Sequence, residues 1–347
     1  MIIEGFEPFE GQHCETTATG SLLRHAGLEL SEAMLFGLGQ GLGFIYWDMK
    51  SMDFPFIGGR IQPNLLTDNL VGNLGLRIER RETSSTKKAW ENVRKNIDSG
   101  VPVGLQLDSY YLDYFAHKFH FGAHYVAIYG YDDHYAYLVD TAQQGSRVKA
   151  ALENVESARN ARGPMTARNL SYTIARTDKD PDLGEAAVRA IRANAEDFLN
   201  PPIKNIGYKG IAKASREVRK WFGRTERPEE DFTQAGVLME RAGTGGALFR
   251  NMYRDFLEEC LARVDSGDLA DGYRGYAEIA PLWTEVSALI QEAGETGEQG
   301  SLDRASDLLA ELSEREESAM RCLARIKTPP PSGRVANTPY VRLNENG

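Results

Sequence analysis

Near residue 180 the hydrophobic pattern of the chain changes period, and this switch limits what it can fold into more than any other feature. Before it, short runs rich in Val, Ile, Tyr and Phe, such as VPVGLQL and HYVAIYGY, alternate with amphipathic stretches. Apolar residues at every second position suit strands half-buried in a sheet, so the first part reads as α+β. After the switch, Ala, Leu, Glu and Arg recur at helical spacing, which makes the second part all-helical. A chain of 347 residues, 41% of them hydrophobic, also fills two ordinary cores more readily than one. The expected organisation is a first domain over 1–177, a helical domain over 183–327 and a flexible tail over 328–347. The connecting TDKDPDLG has linker composition, and the tail has too few clustered apolar residues to order itself.

In the first domain the pattern predicts helices over 14–25, 31–38, 64–73 and 84–98, the last two closed by Gly75 and Gly100. Strands are predicted over 42–48, 76–81, 101–107, 124–131, 136–141 and 169–175, with GYDDHY supplying hairpin-turn chemistry between the fourth and fifth. Helices of the second domain fall near 184–199, 207–222, 228–241, 244–264, 273–293 and 301–326.

Forty basic against fifty acidic side chains leave a formal charge of −10, the wrong sign for a nucleic-acid surface. Small molecules or another protein are the expected partners, and the oligomeric state is open. No apolar run approaches the roughly 20 residues that cross a bilayer, so no membrane association is expected. The opening MIIEGFEPFEGQ lacks the basic-then-apolar order of a signal peptide, and the expected location is cytoplasmic. Cys14, Cys260 and Cys322 are odd in number and far apart, which fits neither a disulfide framework nor a paired-cysteine zinc site.

Cys14 carries the strongest chemical signal. A loop-like EGFEPFEGQH runs into CETTATGSLLRHAG, which can start a helix at the cysteine. The unpaired amides and macrodipole of a helix N-terminus favour a thiolate there and aim donors at an oxyanion forming on an attacked carbonyl. The plain alternative is a buried cysteine serving as a small hydrophobe. His124 opens one strand of the hairpin FGAHYVAIYGYDDHYAYLVDTA and Asp140 closes the next, so both lie at the same end of the pair. Asp140 can then orient His124, and His124 can deprotonate Cys14 and later return the proton to a leaving group. A strand-end histidine satisfied by a carbonyl, beside an aspartate closing a turn, is the alternative for that pair.

HCETTATGSLLRHAGLELSEAMLFGLGQGLGFIYW, together with GAHYVAIYGYDD and LVD, resembles the N-terminal domain of the butirosin-biosynthesis protein H family. That domain is similar to papain-like and bacteriocin-processing cysteine peptidases, and the likeness spans roughly the first 175 residues. GTGGALFRNMYRDFLEECL, residues 243–261, resembles the helical domain that follows it in the family. The resemblance implies a papain-like fold and thioester chemistry: an acyltransferase that takes an acyl or aminoacyl group from a carrier-protein or CoA-type thioester and passes it to a small-molecule amine. Phosphopantetheine would be the substrate's carrier, with no bound cofactor. A thioester-dependent cyclase or a papain-like peptidase or amidase would use the same three residues, and transfer needs a water-free site for which the helical domain is a candidate lid.

Papain-like enzymes place an oxyanion glutamine several residues before the cysteine, whereas Gln12 is only two away, so the backbone amide of Cys14 is the firmer donor. Gln12 and Gln106 remain candidates against the reading of ordinary surface or strand-end amides. His13 either assists Cys14 or is solvated, the second being favoured. Asp108 could bind a substrate cation, and Tyr110, within the aromatic DSYYLDYF, could line an acyl or sugar pocket; a turn carboxylate and ordinary core are the alternatives. His117, His120 and His124 have zinc-like spacing but lie on strand-like sequence interrupted by Gly122, which argues against a metal. GLGQGLGF reads as a tight helix-to-strand turn that could also admit a pantetheine arm. In the helical domain Arg250 and Tyr253 could offer polar contacts to a phosphopantetheine phosphate or a carboxylate, or simply belong to a packed and solvated helix.

Overall fold

The computed structural model describes residues 1–50, 52–116, 118–163, 165–240, 245–327 and 343–344. In chain order its elements are α1 (Cys14–His25), α2 (Glu32–Leu38), β1 (Leu42–Trp47), β2 (Phe56–Arg60), α3 (Leu65–Leu74), β3 (Arg77–Glu82), α4 (Thr86–Asp98), β4 (Val103–Leu107), β5 (His124–Tyr131), β6 (Tyr135–Val139), β7 (Arg147–Ala151), α5 (Leu152–Asn160) and β8 (Ser171–Ala175). The helices α6 (Leu183–Leu199), α7 (Gly207–Val218), α8 (Pro228–Glu240), α9 (Ala247–Leu261), α10 (Gly267–Thr296) and α11 (Gln299–Ala324) follow, with a short β9 (Leu343–Asn344). The chain is thus mixed α/β with a helical C-terminal region. Apart from β9, the expected flexible tail lies outside the described residues.

The chain forms two compact units. Met1–Leu35 and Gly75–Asp180, with β9, make the first; Phe36–Leu74 with 181–327 makes the second. The first contains a sheet in the order β7-β6-β5-β4-β8-β3-β9, antiparallel except where β9 runs parallel to β3. Every residue of β4 is buried, as a central strand covered on both faces requires. Helices α1, α4 and α5 all pack on it. Helix α1 also lies along β5, with Ala18, Leu22 and Leu23 and the small polar Thr16, Thr17, Thr19 and Ser21 buried. The β5–β6 turn is set by Asp132, whose Oδ1 accepts the amides of His134 and Tyr135 at 2.8 and 2.7 Å. The hairpin chemistry of GYDDHY is therefore realised.

The second unit packs the antiparallel pair β1–β2 among helices around Trp221, Trp283, Phe232 and Phe249. A domain boundary at residue 177 places residues 36–74 with the first part. The unit boundary falls instead inside α2, because Phe36 stacks on Phe249 with centroids 5.1 Å apart and Asn194 Nδ2 donates to Leu42 O at 2.7 Å. Gly59 has no room for a side chain, since a Cβ there would fall 1.3 Å from the carbonyl oxygen of Gly245. Among the described residues no helix is long and apolar enough to cross a membrane.

Candidate active site

Helix α1 starts at Cys14. His13 is its N-cap, and the first helical bond runs from Thr17 N to His13 O at 2.9 Å. The first-turn amides, that of Cys14 among them, have no acceptor within the helix. Helix α1 packs against β5, and the Cys14 sulfur comes near enough to the imidazole of His124, the first residue of β5, to raise its proton affinity. The β5–β6 register sets Ala127 opposite Val139, which puts Asp140 beside His124 just past the end of β6. His124 Nε2 meets Asp140 Oδ2 at 2.8 Å, which leaves Nδ1 for the thiol. Both partners are buried, at 7% and 0% exposure, while Cys14 is only half-buried and so reachable. Burial opposes a charged ring, but the carboxylate of Asp140 outweighs it, aided by the Cys14 sulfur, and carries the imidazolium up to about 10.

The carboxylate is itself held on every side. Asp140 Oδ1 accepts the Thr141 amide at 2.6 Å, and Oδ2 also accepts the Tyr114 hydroxyl at 2.7 Å. The Phe115 ring meets that of His124 edge-on, centroids 5.2 Å apart, and fixes its plane. Behind the cysteine, Glu32 of α2 reaches back to the loop that precedes it. Its carboxylate accepts the amides of Gln12 and His13 at 2.9 Å and the Thr16 hydroxyl at 2.7 Å. Burial pushes the Glu32 carboxyl up despite these three bonds. Gly11 is required beneath them, since a Cβ there would lie 2.5 Å from Thr17 Oγ1 and 2.8 Å from Glu32 Oε1. Its carbonyl accepts the Ala142 amide at 2.8 Å, tying the cysteine loop to the segment after Asp140.

Residues 13–141, which contain all of Cys14, His124 and Asp140, match the family model described as butirosin biosynthesis protein H, N-terminal. This region is similar to that family. Residues 153–323 match a domain of unknown function (DUF4872). No curated protein matches the chain.

Several other expected residues are placed elsewhere or otherwise engaged. Gln106 gives its Nε2 hydrogens to Gly122 O and Met165 O at 2.8 and 3.2 Å, which leaves no donor for an oxyanion. Asp108 is buried and accepts the amides of Tyr110 and Phe121 and the ring of His120, so it is a turn anchor rather than a cation site. Tyr110 is exposed and stacks on His120 at 4.1 Å. His120 and His124 thus serve different carboxylates, and His117 lies outside the described residues. His13 is 1% exposed, not solvated, its Nδ1 3.3 Å from Thr16 Oγ1. Gln12 is exposed and contributes its backbone amide to Glu32.

In the second unit the expected roles of Arg250 and Tyr253 are corrected. Arg250 is fully buried, paired through Nε and Nη2 with Glu316 at 2.9 Å, bonded to Gly59 O and stacked over Trp283. Tyr253 is buried against Phe256 and Tyr276. Both belong to the core. In GLGQGLGF, Gly37 lies under the Phe256 ring, Gly41 under Phe36 and Gly43 against the backbone of Arg60, so their small size serves packing. Sequence reasoning missed Tyr114, Phe115 and Glu32. Tyr114 and Phe115 lay within an aromatic cluster with no spacing rule to single them out, and Glu32 acts across 20 residues on Gln12.

Proposed function

We propose that this chain is a cysteine-dependent acyltransferase of natural-product biosynthesis, built on a papain-like first part and working through an acyl-Cys14 intermediate. One observation carries the reading: a reachable sulfur at a helix start near an imidazole whose Nε2 is gripped by a buried aspartate. The family's link to butirosin biosynthesis supports it. His124 takes the thiol proton, and the Cys14 sulfur attacks the thioester carbonyl of an acyl-phosphopantetheine, on a carrier protein or CoA-type molecule. The tetrahedral oxyanion forms at the start of α1, within reach of the Cys14 amide. As it collapses, the carbon–sulfur bond to pantetheine breaks and His124 returns its proton to the departing thiolate. Thioester replaces thioester, so little bond energy changes hands. An amine then attacks acyl-Cys14, His124 receives the amine proton, and the amide leaves as the Cys14 sulfur is released.

The test is incubation with acyl-pantetheine thioesters followed by intact-mass analysis. Wild type gains one acyl mass, Cys14→Ala gains none, His124→Ala gains it slowly at best, and an added amine discharges it. Absence of any adduct on wild type overturns the proposal. Discharge by the acyl chain's own nucleophile identifies a cyclase, and thioester-independent cleavage of peptides identifies a peptidase.

A further inference from the structure

Asp140 distributes its donors unevenly. A carboxylate offers about four acceptor positions, yet the Tyr114 hydroxyl and His124 Nε2 converge on the same Oδ2, at 2.7 and 2.8 Å, while Thr141 N takes Oδ1. Tyr114 lies in the stretch between β4 and β5, next to the Phe115 that packs on the imidazole. Burial, with Asp140 beside it, holds the phenol well above its ordinary titration range, so it stays a neutral donor.

Resting on the acyltransferase reading, we infer that Tyr114 is a positioning residue that draws charge from the Asp140 oxygen serving His124 and so limits how tightly the imidazole keeps its proton. Two donors on one oxygen compete for the same negative charge. The imidazole must both take the thiol proton and surrender it to the departing pantetheine thiolate, and an undiluted buried carboxylate would favour only the first task. The charged and titratable groups facing this cluster are Cys14 and Asp140 at the ring, and Asp113 beside Tyr114, whose carboxylate is engaged by the Ala151 amide. A mere fastener for Asp140 would affect stability without raising the proton affinity of His124.

The imidazole is therefore titrated by NMR in protein labelled at histidine, in the Cys14→Ala background so that the sulfur contributes nothing. Adding Tyr114→Phe should tighten proton binding on the order of tenfold, moving the titration of His124 to higher pH. Placing 3-fluorotyrosine at position 114, a stronger donor of nearly the same size, should move it to lower pH, which keeps the test decisive if the Phe variant folds poorly. An unchanged or downward titration in Tyr114→Phe, or an unchanged one with fluorotyrosine, overturns the inference. Failure of wild-type Cys14 to accept an acyl group, with both titration shifts present, would instead sink the acyltransferase reading alone.

Discussion

Replacing Glu32 should separate its charge from its acceptor capacity. In Glu32→Ala three donors lose their acceptor, but they do not suffer equally. The Gln12 amide belongs to an exposed residue and returns to water. The Thr16 hydroxyl falls back on His13 O, already 2.9 Å away. The His13 amide, on a residue 1% exposed, is kept from water, and a buried donor that loses its acceptor costs about 1–3 kcal/mol. Losing a carboxylate whose ionisation burial opposes offsets part of this, so a net loss of about 2 kcal/mol at pH 7 is expected, with slower alkylation of Cys14. Glu32→Gln keeps Oε1 as acceptor and should stay within about 0.5 kcal/mol of wild type. The pH dependence has a definite sign. Because burial raises the folded-state value, the stability this carboxyl contributes is complete below its ordinary 4.5 and is lost as pH climbs through the folded value. Glu32→Gln should therefore gain on wild type between pH 4 and 7. Urea denaturation at the two pH values, with iodoacetamide labelling of Cys14, measures all of this. A Gln variant as damaged as the Ala variant, or an Ala variant indistinguishable from wild type, would refute the account.

Two further outcomes follow from buried charge. The His124 imidazolium, held up to about 10, contributes stability that is complete below pH 6.5 and disappears as pH rises through 10. The advantage of wild type over Asp140→Asn should thus shrink across that window, by at most ~1.4 kcal/mol per pH unit, in denaturant titrations. A gap that is constant with pH would contradict the pairing. Arg250→Met should cost about 3–5 kcal/mol because it strands the fully buried Glu316, and adding Glu316→Leu should restore part of that loss in a thermodynamic cycle.

What the sequence made legible followed from local rules. The start of α1 at Cys14 and the span of β5 from His124 to Tyr131 agree with the predicted bounds, since helix onset and hairpin chemistry are written in neighbouring residues. The meeting of His124 and Asp140 followed from the same hairpin. Missed elements lacked such signals. FIGGR carries two glycines and no alternation, and β7 with α5 sits in RVKAALENVESARN, whose charged residues concealed both. Arg250 was misjudged because its burial depends on Glu316, 66 residues on, and nothing near it announces a partner. The assignment of residues 36–74 failed for the same reason, its partners being tertiary and remote.

The way the two units interleave along the polypeptide bears on how the protein is made. Leu42 finds Asn194 across 152 residues, so β1 and its neighbours leave the ribosome long before the helices that bury Phe36, Phe44 and Leu66 exist. Severing the gene after codon 180 would accordingly strand greasy orphan segments on the amino-terminal fragment. A soluble cysteine-bearing piece would instead require looping out 36–74 and rejoining Leu35 to Gly75.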